Sequence, residues 1–108
     1  MDDAFEERKK KLEDKWAHDE ELRFKIGARR NKLLGLWAGA ELGLKGAAAD
    51  DYAKSVVAAD LKGADAMFRK IRGDFDAGGL GHSDHIIQRQ MAELLALAAD
   101  QLMHERKG

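Results

Sequence analysis

The sequence predicts an all-α fold, a four-helix bundle preceded by a mobile, charged N-terminal segment, and three observations carry that expectation. Pro is absent and Ala, Leu, Lys, Glu and Asp dominate, while β-branched residues are few and scattered, which favours helix over sheet. Apolar residues recur at intervals of three and four in four separate stretches. Glycines punctuate the gaps between those stretches, around residues 43–46, at 63 and across 77–82. At 108 residues with a 44% apolar fraction, the chain has room for one domain with a single modest core.

Residues 1–18 differ from everything that follows. Asp2, Asp3, Glu6, Glu7, Arg8, Lys9, Lys10, Lys11, Glu13, Asp14 and Lys15 crowd into them and leave too little apolar surface to fold against a core. The segment is nonetheless a capable helix, because acidic residues precede basic ones and Glu6 with Lys10 and Glu7 with Lys11 form favourably oriented i,i+4 pairs. Wound as a helix, Met1, Phe5, Arg8, Lys9, Leu12 and Trp16 share one narrow stripe. Two readings stay open: an extension of the first helix packed on the bundle, or a segment disordered alone that docks on a partner through Phe5, Leu12 and Trp16. The division that follows is 1–18 for this segment and 19–108 for the bundle.

The first long helix is expected over 17–44. Leu22, Ile26, Leu33, Trp37, Ala40 and Leu44 form one stripe, and Phe24, Gly35, Gly39 and Leu42 a second, with Arg23, Lys25, Arg29, Arg30 and Lys32 between them. A helix with two such faces touches neighbours on both sides and is the central element. Gly27, Gly35, Gly39 and Gly43 each cost about 1 kcal/mol against Ala in a helix interior, so tertiary contacts must hold the segment. The spacing of the last three lowers one face for close approach, with Gly43 available as the C-terminal cap.

Gly46 is expected in a turn, and a second helix follows over about 50–62, burying Ala53, Val56, Val57 and Leu61 until Gly63 ends it. Asp65 is the expected N-cap of a third helix reaching about Asp76, with Met67, Phe68, Ile71 and Phe75 on one face. Residues 77–82 form a loop. Ser83 then caps a last helix that buries Ile87, Met91, Leu94, Leu95, Ala98 and Leu102 and frays over 104–108.

Several function classes are disfavoured. A net charge of −1 gives no electrostatic reason to bind nucleic acid, and the one basic run, Arg8 to Lys11, is flanked by acids and reads as a solvated face. Without Cys there are no disulfides and no thiolate metal sites. The start is charged from Asp2, with no apolar stretch of signal-peptide type, and no run of about 20 apolar residues exists, so a cytoplasmic protein without membrane insertion is expected. Ser55 and Ser83 sit in no activating motif, and the carboxylates single out no acid/base pair, so an enzyme is not expected. The glycine-rich stretch before Ser83 lacks the features of a phosphate loop. His82, Asp84 and His85 lack a second ligand pair, so no metal is expected. Arg29, Arg30, Arg69, Lys70 and Arg72 could gather to hold a nucleotide phosphate if the first and third helices are adjacent; the competing reading, exposed cations on amphipathic helices, is preferred.

Particular stretches carry a family resemblance. MDDAFEER (1–8), AHDEELRFK (17–25) and above all ARRNKLLGLWA (28–38) resemble the zeta subunit of alphaproteobacterial F-type ATP synthases. YAKSVVAADL (52–61), FRKIRGDFD (68–76), SDH (83–85) and MAELL (91–95) continue the match over nearly the whole chain. The resemblance implies a small regulator whose N-terminal segment enters a catalytic α/β interface of the synthase head as a helix and blocks rotation in the hydrolysis direction. Its partners would be the alpha, beta and gamma subunits, placing it at the inner face of the cell membrane when bound, and it is expected to be monomeric when free. The inhibitory segment would be Met1 to about His18, with Phe5, Leu12 and Trp16 as apolar contacts and Arg8, Lys9, Lys10 and Lys11 meeting acidic groups. No cofactor is required. The alternative function is a small helical module binding a purine nucleotide, ADP or ATP, as a weak ligand, with weak or no inhibition.

Overall fold

The computed structural model describes residues 19–107, and the first helix begins where Asp19 caps it. Asp19 is extended (φ −108°, ψ 99°), and its Oδ1 accepts a hydrogen bond from the Leu22 amide at 2.9 Å. That geometry is an N-cap, so α1 runs Glu20–Glu41, and Ala17 and His18, where the helix was expected to start, lie outside the described residues. Glu20 and Glu21 put negative charge in the first turn, where the helix dipole favours it. At the other end Gly43 has φ +83°, its amide bonds to the Ala40 carbonyl and the Leu44 amide to the Gly39 carbonyl. This is a Schellman cap, the role Gly43 was expected to fill.

The remaining helices are α2 (Gly46–Ala59), continued by a 3-10 turn over Asp60–Lys62, α3 (Ala64–Ala77) and α4 (Asp84–Lys107). No strand occurs among the described residues. Helix α2 starts four residues earlier than expected, at Gly46, because Ala47 to Ala49 are strong helix formers that need no capping side chain. Gly63 ends it with φ +108°. Gly63 also stands at the N-cap position of α3, so Asp65 is not the cap; it lies in the first turn and favours the helix by its charge. Helix α3 closes with a second Schellman cap, Gly79 to Asp76 and Leu80 to Phe75. Ser83 does cap α4, its Oγ accepting from the Ile86 amide at 3.2 Å. Helix α4 is assigned as far as Lys107, the last described residue, through the stretch where its end was expected to fray.

Helix α1 is central, packing on α2 along one side and on α4 along another. Two apolar clusters meet along it. Leu34 and Ala38 join Val56, Met67, Ile71, Phe75 and Ile87, all fully buried, where the four helices converge. Leu22 and Ile26 pack only against Ala98 and Ala99 of α4, with Leu33, Leu95, Leu102 and Met103 at the margin. Four helices therefore share one end of the molecule, and α1 and α4 alone continue to the other.

The close approach of α1 and α2 needs glycine. A Cβ at Gly35 would stand 2.6 Å from the Ala53 Cα, and one at Gly39 would touch the Tyr52 ring at 3.4 Å. Four expected core assignments are corrected. Phe24 is 77% exposed although it lies three turns before Gly35 on the same side, because α2 ends before reaching it. Ala40 is exposed. Val57 and Leu61 also face outward, at 36% and 89% exposure, because the two buried residues of α2 are Ala53 and Val56.

Candidate functional site

Met1, Phe5, Arg8, Lys9, Lys10, Lys11, Leu12 and Trp16, the stripe assigned to a partner, lie outside the described residues. What is described is the part of the bundle they lead into. Asp19, Glu21, Leu22 and Lys25 of the α1 start, with Leu102 and Glu105 of α4, surround a shallow cavity of about 300 Å³. Lys25 pairs with Glu21 at 3.1 Å. One turn further, Arg29 grips Glu105 with both terminal nitrogens at 2.8 and 3.0 Å and donates to Gln101 at 2.9 Å. The bidentate contact raises the arginine above its ordinary value and holds the Glu105 carboxyl below the usual carboxylate range. These contacts tie the first turns of α1 to the last turns of α4, where the apolar cluster is small.

The five cations considered for a phosphate do not gather at one place. Arg29 is committed to the C-terminal end of α4. Arg72 is committed to the other end, donating to the His82 carbonyl at 2.7 Å and pairing with Asp76 at 2.7 Å and Asp84 at 3.1 Å. Asp84 and Glu105 lie near opposite ends of a 24-residue helix, roughly 30 Å apart at 1.5 Å per residue, so Arg29 and Arg72 cannot share one small ligand. Arg30 lies against α4 and donates to the Met91 carbonyl at 3.3 Å and to Asn31 Oδ1 at 2.8 Å, and burial lowers it from its ordinary value. Asn31 in turn donates to Asp60 at 2.8 Å, which satisfies the buried amide and fixes the end of α2 to α1.

Lys70 pairs with Asp74 at 3.1 Å and lies 5.1 Å from the centroid of the Tyr52 ring. The Tyr52 hydroxyl also donates to Asp74, at 2.8 Å, and burial together with that carboxylate pushes the phenol well above its usual value. Arg69 and Lys70 do come together, beside Lys62, around an open depression lined also by Ala58, Ala59 and Ala66. Lys62 was missed because it lies at the end of a separate helix, and only the α2–α3 turn brings it back.

Among the described residues no three His, Cys, Asp or Glu side chains are placed to hold a metal ion. His82 meets Glu41 at 2.6 Å through Nε2, and its ring packs tilted against Phe75 at 4.9 Å and edge-on to Trp37 at 6.1 Å. It ties the α3–α4 loop to the end of α1.

Comparison with known families decides what this scaffold is. The sequence pattern of the family described as ATPase inhibitor subunit zeta matches residues 1–101, nearly the whole chain. The chain belongs to that family. A comparison with curated proteins finds no match. The zeta-subunit match takes in residues 1–18, Arg29 and Gln101, and ends before Leu102 and Glu105. No helix among the described residues of this zeta subunit is long and apolar enough to cross a membrane.

Proposed function

We propose that this protein restrains ATP hydrolysis by an F-type ATP synthase, with residues 1–18 as the working part and the helical bundle as its anchor. The single observation that carries the reading is that one inhibitor-subunit family pattern covers the charged segment and the bundle together. In this reading the segment enters an interface between alpha and beta subunits as a helix, close to gamma, and obstructs rotation in the hydrolysis direction. Phe5, Leu12 and Trp16 supply apolar contact and Arg8, Lys9, Lys10 and Lys11 meet acidic groups. Asp19 supports the division of labour: as an extended N-cap it starts the bundle's first helix at the expected junction. The protein acts by obstruction and performs no chemistry, working at the inner face of the membrane where the synthase head projects.

The purine-nucleotide alternative relies on five cations, of which Arg29 and Arg72 are held at opposite ends of α4. No observation favours it over the regulator. The deciding experiment measures ATP hydrolysis by the synthase head with the full chain and with a chain starting at Asp19. Only the full chain is expected to slow hydrolysis. Equal inhibition by the shortened chain would remove the proposed role of residues 1–18, and no inhibition by either would remove the regulator reading.

A further inference from the structure

The side of the bundle formed by α1 and α2 carries an unfilled apolar groove. Ala28, Lys32 and Leu36 of α1 and Ala53, Lys54 and Val57 of α2 line a cavity of about 580 Å³, with Asp50 at one end. Its depth has a local cause. The Gly35–Ala53 contact draws the helix axes together, and alanine at 28 and 53 leaves the floor low. The groove is prolonged at the end away from the α1–α2 turn. Phe24 lies one turn before Ala28 on the same line of α1, and Leu61 lies one turn beyond Val57, exposed to 77% and 89%. An apolar groove flanked in sequence by an exposed phenylalanine on α1 and an exposed leucine in the 3-10 turn after α2 is the kind of surface that receives a partner helix.

The charges say what that partner carries. Lys25 and Lys70, away from the groove, each have a carboxylate within 3.1 Å. Lys32 and Lys54, the two cations lining the groove, have no ion-pair partner among the described residues. We propose that this groove is where the bundle docks on the enzyme it regulates, and that its occupant is an amphipathic helix of the synthase head with carboxylates beside its apolar stripe. The carboxylates face Lys32 and Lys54, and the apolar stripe lies between Phe24 and Leu61. The inference rests on the regulator reading and adds to it the face by which the anchor holds.

The test titrates the full chain against the synthase head and follows binding by fluorescence anisotropy. Two groove variants are compared with the unaltered chain, Lys32→Glu with Lys54→Glu and Phe24→Ser with Leu61→Ser. A control carries Ile86→Ser and Leu97→Ser, exposed apolar residues of α4. All four groove positions are exposed, so the variants are expected to keep the helical circular dichroism and melting behaviour of the unaltered chain. Each groove variant is expected to bind about tenfold more weakly, with the control within about twofold. Added salt is expected to weaken the unaltered chain more than the charge-reversed one. Unchanged binding by both groove variants overturns the proposal while leaving the regulator reading intact. Two other occupants would also overturn it: a second copy, seen as a dimer of the free chain that the groove variants dissociate, or the chain's own residues 1–18, seen as tighter head binding by the groove variants. Failure of the unaltered chain to bind the head at all would remove the regulator reading, and the docking face with it.

Discussion

Two glycines of α1 differ in what a methyl group would meet. Gly27 has open space where its Cβ would stand, and its backbone is ordinary helix, so Gly27→Ala is expected to stabilise the fold by about 1 kcal/mol, raising the melting temperature by about 4–8 °C. Gly35→Ala is expected to do the reverse. Its Cβ would press on the Ala53 backbone, which cannot give way as a side-chain tip can, and the two helices would have to separate. Thermal melts of the two variants check both signs. Tyr52 gives a third expectation. Its phenol is raised in the folded chain by burial and by Asp74, so the stability it contributes is complete below the usual phenol value of about 10 and is lost as pH rises above it. Denaturant titrations from pH 8 upward are expected to show that loss, and Tyr52→Phe is expected to flatten it.

At the scale of the helices, the pattern of three and four gave each element's existence and left its rotation partly open. Met67, Ile71 and Phe75 were legible on α3 because that helix is strongly one-sided, and all three are buried. On α1 Ile26 of the first expected stripe is fully buried, but Leu34 and Ala38, equally buried, belong to neither stripe, since apolar or small residues surround that half of the helix and periodicity has no contrast to read. Phe24 was misplaced for another reason: where α2 stops is a tertiary fact. Where each arginine reaches was equally illegible, because which of them meet depends on which end of α4 each one contacts. The same difference between the ends of α1 has a dynamic consequence. Amides over 22–30 of α1 and 98–105 of α4, held by the smaller cluster, are expected to exchange hydrogen faster than those over 34–38, and Glu105→Gln is expected to widen the gap by weakening the Arg29 clasp.

For the whole molecule, one well-packed end carries most of the stability. Phe75 is fully buried there against Trp37 and His82, and Phe75→Ala is expected to cost about 3–5 kcal/mol, read as a lowered denaturant midpoint. Under the proposed function the same substitution is expected to leave inhibition of hydrolysis unchanged, provided the assay temperature lies below the lowered melting point. The two-helix end, by contrast, joins the bundle to residues 1–18.

That arrangement fixes how the molecule bears force. In the proposed function a load on residues 1–18 would reach the bundle at Asp19, and a pull along α1 would slide that helix lengthwise past α2 and α4, straining the Gly35–Ala53 contact and the Arg29–Glu105 clasp at once. A sideways pull meets less resistance, because it can peel Leu22 and Ile26 from Ala98 and Ala99 one turn at a time. On that proposal the bundle would act as a cleat, holding against tension in line with α1 and yielding to a twist across it.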